Sequence, residues 1–249
     1  MEIITSTQNR IVKLARSLSQ RKFRTETGLF LVEGVNLLRD MPQSVALEYV
    51  IATKERLDQA KEIFRTRADA EFYCVTDAVM QSISDTAAPY GIAAVCAISE
   101  TEFAMPKGNA LLLDGVSDPG NLGTVLRTAA ACGFCDVYAL ETADIYSPKV
   151  VRATLGALFR VRVYVIDEQR ALELVRNTRS AILDMGGENI LCERVESPVL
   201  FVAGNEAHGV RASIKEEAQR VYSLPMKNDI ESLNVAVATA VAMYQTMKE

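Results

Sequence analysis

Asn109-Ala-Leu-Leu-Leu-Asp-Gly-Val116, followed by Ser117-Asp-Pro-Gly-Asn-Leu-Gly-Thr-Val-Leu-Arg127, decides the fold. The first segment is apolar without clean alternation, which is the pattern of a strand buried on both faces. The second is a polar turn with glycines that opens a helix over 121–132, ended by Gly133. A buried strand turning straight into a helix is the repeating unit of a covered parallel sheet. Such sheets take ligands at the carboxyl ends of their strands. Downstream the unit recurs. Strands are predicted at 136–140, 161–166, 181–185, 199–203 and 221–224, with helices at 149–158, 169–177 and 233–247.

The last of these helices carries Val235, Ala236, Val237, Ala238, Ala240, Val241, Ala242 and Met243, leaving almost no polar stripe. A helix that is apolar all round is buried on most sides. Either a domain core or a subunit interface can bury it.

Upstream, Ile11, Leu14, Ala15 and Leu18 recur at helical spacing. Strands at 28–32, 47–51, 71–75 and 91–97 alternate with helices at 33–39, 54–67 and 77–82, which makes a second, smaller α/β unit. The reading is therefore a small α/β domain over 1–100, a linker over 101–108 containing Pro106 and Gly108, and a larger α/β domain over 109–249.

Composition narrows the class. No apolar run approaches the ~20 residues of a membrane span. Met1 to Thr5 lacks the basic and apolar segments of a secretory signal. The expected compartment is the cytoplasm. Five cysteines (74, 96, 132, 135 and 192) and one histidine form neither a disulfide framework nor a metal ligand set, so no metal is expected. The net charge is −5, unevenly spread. Arg10, Lys13, Arg16, Arg21, Lys22 and Arg24 face only Glu2 and Glu26 in the first thirty residues, so an arm of +4 precedes a body of −9. A basic arm suits a nucleic-acid backbone, although a solvated amphipathic helix has the same pattern.

The loop at 114–127 fails the two familiar nucleotide signatures. Gly115, Gly120 and Gly123 do not form G-x-G-x-x-G. Asn121 and Leu122 stand where a P-loop needs Lys and Ser/Thr. Asn121 can cap the helix or face a ligand; Arg127 can form a surface ion pair or do the same. A second strand ends in Gly204-Asn-Glu-Ala-His-Gly209, where Glu206 can orient a polar partner such as Arg127 and His208 reads as a loop residue without catalytic duty. A third ends in Leu224-Pro-Met, with Ser232 and Asn234 at the mouth of the last helix as caps or as site groups.

In this order the three segments resemble the motifs of the SpoU (TrmH) family of RNA ribose 2′-O-methyltransferases, in the SPOUT class. Asn121-Leu-Gly-Thr-Val-Leu-Arg127, Gly204-Asn-Glu206-Ala-His-Gly209, and Leu224-Pro-Met with Ser232-Leu-Asn234 carry the match, supported by Ser147-Pro-Lys-Val-Val-Arg-Ala-Thr-Leu-Gly-Ala157. Phe30-Leu-Val-Glu-Gly34 resembles the small RNA-binding domain that precedes the catalytic domain in many members.

The resemblance implies a parallel α/β catalytic domain with a C-terminal trefoil knot, acting as a homodimer through the last helix. It implies S-adenosyl-L-methionine (AdoMet) as cofactor, in a pocket lined by Gly204, Leu224, Met226 and Leu233. RNA is the implied substrate, ribosomal RNA ahead of tRNA. Asn121, Arg127, Glu206, Ser232 and Asn234 become the expected catalytic set, with Glu206 and Asn121 fixing the Arg127 fork. The basic residues of the N-terminal arm become the RNA contacts. A sulfonium methyl is already activated, and a guanidinium stays protonated in proteins. The expected role of Arg127 is therefore to stabilise a developing alkoxide rather than to act as a base. Competing readings are a non-catalytic RNA-binding protein on the same fold and an ordinary NAD- or nucleotide-dependent enzyme.

Overall fold

The computed structural model describes residues 2–99 and 101–247; Met1, Glu100, Lys248 and Glu249, which close the expected domains, lie outside the described residues. Contacts divide the chain into two compact units, Met1–Glu100 with Tyr146–Phe159, and Thr101–Ile145 with Arg160–Glu249.

The first unit runs β1 (Ile3–Ile4), α1 (Arg10–Ser17), α2 (Arg21–Thr27), β2 (Leu29–Glu33), α3 (Val35–Asp40), β3 (Leu47–Thr53), α4 (Leu57–Ile63), β4 (Phe72–Val75), α5 (Asp77–Ile83) and β5 (Ile92–Ala97). Its sheet has the order β1-β4-β3-β5-β2. β1, β4 and β3 are parallel, and β5 pairs antiparallel with β3 and β2. Val12, Ala15 and Leu18 of the first helical turns close one face over Leu31, Ile51, Met80 and Val95.

Three elements differ from the sequence reading. β1 is only two residues long, too short to show a period. The expected helix over 54–67 is a 3₁₀ turn at Lys54–Arg56 followed by α4. The basic arm is two helices rather than one, because Gln20 is extended and Gly28 ends α2 in the left-handed region. Arg10, Lys13, Arg16, Arg21 and Lys22 are exposed. Arg24 departs from the expected RNA-binding set. It is 3 % exposed, and its Nη1 donates to the Leu18 carbonyl at 2.6 Å, so its charge holds the chain break between α1 and α2.

The second unit contains β6 (Ala110–Asp114), α6 (Pro119–Ala131) and β7 (Asp136–Leu140). The chain then contributes α7 (Pro148–Thr154) to the first unit, where it packs against β2. Returning, it forms β8 (Arg162–Ile166), α8 (Glu168–Asn177), β9 (Ser180–Asn189), β10 (Leu200–Ala203), α9 (Ala212–Glu217), β11 (Arg220–Ser223) and α10 (Val235–Gln245). The order is β11-β9-β10-β6-β7-β8 and every pairing is parallel, as the uninterrupted apolar runs required. Leu111, Leu112, Leu113, Phe201 and Val202 of the two central strands are fully buried.

β9 runs beyond 185, carried to Asn189 by an irregularity in its pairing with β11. α9 has a charged, six-residue sequence with little periodicity to read. α10 packs against α6 and β10, yet Val237 and Tyr244 remain 50 % and 55 % exposed. The helix that is apolar all round is thus buried on one side only within this chain. The cysteines are free thiols, Cys132 buried and Cys135 exposed on either side of the helix-ending Gly133. No helix among the described residues is long and apolar enough to cross a membrane.

The carboxyl ends of β6, β7 and β8 are tied by Arg211, which sequence reasoning missed. Its backbone N–H and its Nε each donate to the Asp114 carboxylate at 2.7 Å. Its two terminal nitrogens reach Glu141 at 3.1 Å and Glu168 at 3.3 Å. Asp114 is 3 % exposed, so this partner offsets the cost of burying its charge.

Candidate active site

Three loops converge at the carboxyl ends of the central strands, after β6, after β10 and after β11. Asp118 makes the first loop usable. It caps α6 by accepting the Asn121 N–H at 2.8 Å, with Pro119 in the first turn. Asn121 is therefore not the cap, and its side-chain amide is free for other work.

That amide binds Glu206 of the second loop. Asn121 Nδ2 donates to Glu206 Oε1 at 2.9 Å. The same carboxylate accepts the Asp118 N–H at 3.2 Å, and the Ser117 N–H and hydroxyl at 3.2 and 3.0 Å. On its other side, Asn121 Oδ1 accepts from Asn234 Nδ2 of the third loop at 2.8 Å. Asn234 Oδ1 caps α10, taking the N–H groups of Ala236 and Val237 at 2.9 and 3.3 Å.

The capping reading of Asn234 is correct and incomplete, since one amide caps a helix and joins two motifs. The polarity of the chain follows from Glu206. An ionised carboxylate only accepts, which turns the Asn121 NH₂ toward it and the Asn121 oxygen toward Asn234. Each amide has one orientation that satisfies both neighbours.

Burial alone would raise the Glu206 pKa. The hydrogen bonds from the Asn121 side chain and from the backbone N–H groups of Glu206, Ser117 and Asp118 outweigh it, bringing the group from 4.5 to about 2. A carboxylate so tightly satisfied is a poor proton acceptor at neutral pH, and its hydrogen bonds clamp the first and second loops together.

Because the folded value is depressed, the clamp's contribution to stability is fully present above the unfolded value of 4.5 and is lost as the pH falls through about 2. Urea melts of the parent and of Glu206→Gln should differ by a constant amount above that upper value and converge toward the lower one. A gap that opens instead between pH 6 and 8 would contradict the clamp.

Asn205, absent from the sequence-derived set, staples the first and second loops from the opposite side. Its Nδ2 donates to the Gly115 carbonyl at 2.7 Å, while its Oδ1 accepts from the N–H groups of Ala207 and His208 at 2.9 and 3.2 Å. Gly204 is required by space, because a Cβ there would stand 2.2 Å from the Gly209 carbonyl carbon. An Asn flanked by such a Gly and a carboxylate is the local signal that could have found Asn205.

These loops wall a cavity of about 560 Å³. Gly204, Leu224, Met226 and Leu233 all line it, as do Glu206, Ser232, Asn234 and His208. Asn121 lies behind this lining, bonded to two of its members. Arg127 is placed differently from expectation. It is exposed on α6, does not line the cavity, and has no hydrogen bond or ion pair with any described residue. Glu206 and Asn121 cannot hold its fork in this arrangement, because their polar groups are spent on each other and on Asn234, Ser117 and Asp118.

Comparison with known proteins agrees with this geometry. Residues 108–244 match the profile of the SpoU rRNA Methylase family, and residues 9–94 match the MRM3-like substrate binding domain. The chain is 34 % identical to a 23S rRNA guanosine 2′-O-methyltransferase, RlmP, of Bacillus subtilis, over 98 % of each protein. An AdoMet-bound rRNA methyltransferase structure from Sinorhizobium meliloti superimposes with a TM-score of 0.87 at 26 % identity, covering 98 % of this chain and 97 % of the other. A TrmH-family structure from Porphyromonas gingivalis gives 0.83 at 29 %, covering 98 % of both chains. With matched motifs on three linked loops and a family profile spanning the whole second sheet, the chain belongs to the SpoU rRNA methylase family.

Proposed function

We propose that the protein is an AdoMet-dependent RNA methyltransferase that modifies a ribose 2′-hydroxyl in structured RNA, with ribosomal RNA as the target. The observation that carries this is the Glu206–Asn121–Asn234 chain, which holds three motif loops around one cavity containing all four residues expected for the cofactor.

The cavity suits AdoMet. Its volume lies within the ~300–1,000 Å³ of small-molecule sites. Leu224, Met226 and Leu233 offer an apolar wall to a purine. The lining carries the carboxylates of Asp184, Glu206 and Glu231 against a single lysine, Lys215, which is paired with Asp184 at 2.5 Å. That balance favours a ligand with more cationic groups than anionic ones. When bound there, AdoMet would supply an activated methyl group on a cationic sulfur.

The chain's own residues do the rest. The clamp fixes the loop separation, so that ribose and cofactor meet in one geometry. Ser232, exposed on the cavity wall and without a hydrogen-bond partner among the described residues, is available to the ribose or the cofactor end. Arg127, outside the cavity of this chain and on the helix that α10 packs against, is assigned to the bound RNA, where its cation would steady the 2′-oxygen as it becomes anionic and hold the neighbouring phosphate. The proton leaves to water or phosphate, since Glu206 is unsuited to take it. Arg10, Lys13, Arg16, Arg21 and Lys22 supply backbone affinity, while bases in loops and junctions supply specificity.

The same reading includes a trefoil knot at the C-terminal end and a homodimer formed through α10. The exposed Val237 and Tyr244 and the return of the chain from β11 to α6 and β10 support both. It also includes a cytoplasmic site of action.

Incubating the purified protein with labelled AdoMet and large-subunit ribosomal RNA, then mapping 2′-O-methyl groups, tests the function. One new ribose methylation is expected. AdoMet binding without transfer to any RNA would leave a non-catalytic RNA-binding protein in its place.

A further inference from the structure

We infer that Tyr90 is a stacking platform for an unpaired RNA base, held rigid by a loop that the buried Glu33 carboxylate organises. The inference rests on the RNA reading above and adds where, on the first unit, a base is gripped.

Glu33 ends β2 and is 3 % exposed. Burying a carboxylate is costly unless its oxygens are satisfied. Here the donors come from one surface loop, 84–90. The Ser84 hydroxyl lies 2.8 and 2.7 Å from the two oxygens, and the Tyr90 N–H lies 3.3 Å from the first. Ser84 Oγ in turn accepts the Thr86 N–H at 3.2 Å. Both ends of the loop thus converge on a single buried anion. Asp85 ties its middle, forming a two-oxygen ion pair with Arg152. Hydrogen bonds from both ends of a surface loop to one buried carboxylate restrain that loop, and the methyl-transfer site does not use them.

What the loop presents is Tyr90. The Cδ2–Cε2 edge of its ring lies beside Gly34, where a Cβ would stand 3.7 Å from Cδ2 and 3.8 Å from Cε2. Gly34 has φ +114°, a conformation that glycine adopts without strain. Tyr90 is nevertheless 52 % exposed, and its hydroxyl has no hydrogen-bond partner among the described residues. The nearby Ala87 and Ala88 are small and exposed, so they add little bulk around the ring.

The cations of a neighbouring helix point to the occupant. α1, carrying exposed Arg10, Lys13 and Arg16, packs against α5, and α5 runs directly into this loop. A pinned aromatic ring joined to a cationic helix is the pairing that grips single-stranded nucleic acid, with the ring taking the base and the cations following the backbone.

The chain contains no tryptophan, so the substitution Tyr90→Trp supplies a single indole reporter. The probes are a stem–loop RNA with an unpaired loop and the matched perfect duplex. Addition of the stem–loop should quench the indole emission of this variant, and the duplex should quench it far less. Tyr90→Ala should weaken stem–loop binding about 10- to 100-fold, as loss of one stacked base does, and Tyr90→Phe should bind as the parent. The slope of log affinity against log salt should stay unchanged in Tyr90→Ala, because no phosphate contact is lost. Neutralising Arg10, Lys13 and Arg16 together should flatten that slope.

Unchanged affinity in Tyr90→Ala, unmoved indole emission while RNA binds, or equal quenching by the duplex would each overturn the platform and leave RNA binding intact. A parent protein that retains no RNA would overturn the RNA reading itself, and the platform with it.

Discussion

Arg127→Ala is expected to slow methyl transfer by about 10²–10³-fold, the loss seen when one preorganised donor to a developing oxyanion is removed. The structure separates this effect from folding. Arg127 is exposed and has no partner among the described residues, so its removal leaves no buried group unsatisfied. Stability should stay within about ±0.5 kcal/mol of the parent. Arg127 is also absent from the cavity wall, so AdoMet affinity by calorimetry should be unchanged. Arg127→Lys should recover only part of the rate, because an ammonium keeps the charge and loses the planar fork that can hold a phosphate and a ribose oxygen together. Single-turnover kinetics on a substrate RNA measures all three proteins. An alanine variant at the parent rate would remove Arg127 from the chemistry.

Arg211→Ala is expected to destabilise the second unit by about 3 kcal/mol, because it strands the Asp114 carboxylate in the protein interior. For a unit of this size that is a fall in Tm of about 10 °C. The penalty belongs to the unpaired buried charge, which makes a prediction about the pair. Adding Asp114→Asn to Arg211→Ala should recover much of the loss, since a neutral amide costs far less to bury. Arg211→Lys should fall between, because an ammonium keeps a positive charge near Asp114 but loses the guanidinium's reach to Glu141 and Glu168. Thermal and urea melts measure the series. A single alanine variant that melts with the parent, or a double variant no better than the single, would show that Asp114 is solvated well enough without its partner.

Residue by residue, the sequence was legible wherever period and local chemistry agree. The apolar runs at 110–114, 136–140 and 200–203 can only be strands covered on both faces, and they pair in parallel. Gly133 ends α6 as its position announced. Elements as short as β1 and α9, two and six residues long, left too little pattern to read. Arg24 looked like its exposed neighbours because charge in a sequence does not show which way a side chain turns; the break at Gln20 turns it inward.

The site divides along the same line. Gly204, Leu224, Met226 and Leu233 were named from motif order, and the fold lines one cavity with them. Who bonds to whom was beyond the sequence. Glu206 and Asn121 were expected around Arg127, and they close instead on each other and on Asn234, a residue 113 positions further along the chain. Asn205 and Arg211 act through partners about 90 and 97 positions away, so although its neighbours flag Asn205, no local pattern names the partner of either residue.

By itself, then, the sequence determined which segments are buried strands, which strand ends carry polar groups, and which family these motifs resemble, because burial and turn chemistry are local properties of residue type and spacing. Only the tertiary structure decided the partners, since a hydrogen bond between distant loops depends on where the sheet carries their ends. It linked Glu206 to Asn121, Ser117 and Asp118, turned Arg24 inward, and left Arg127 exposed without a partner among the described residues.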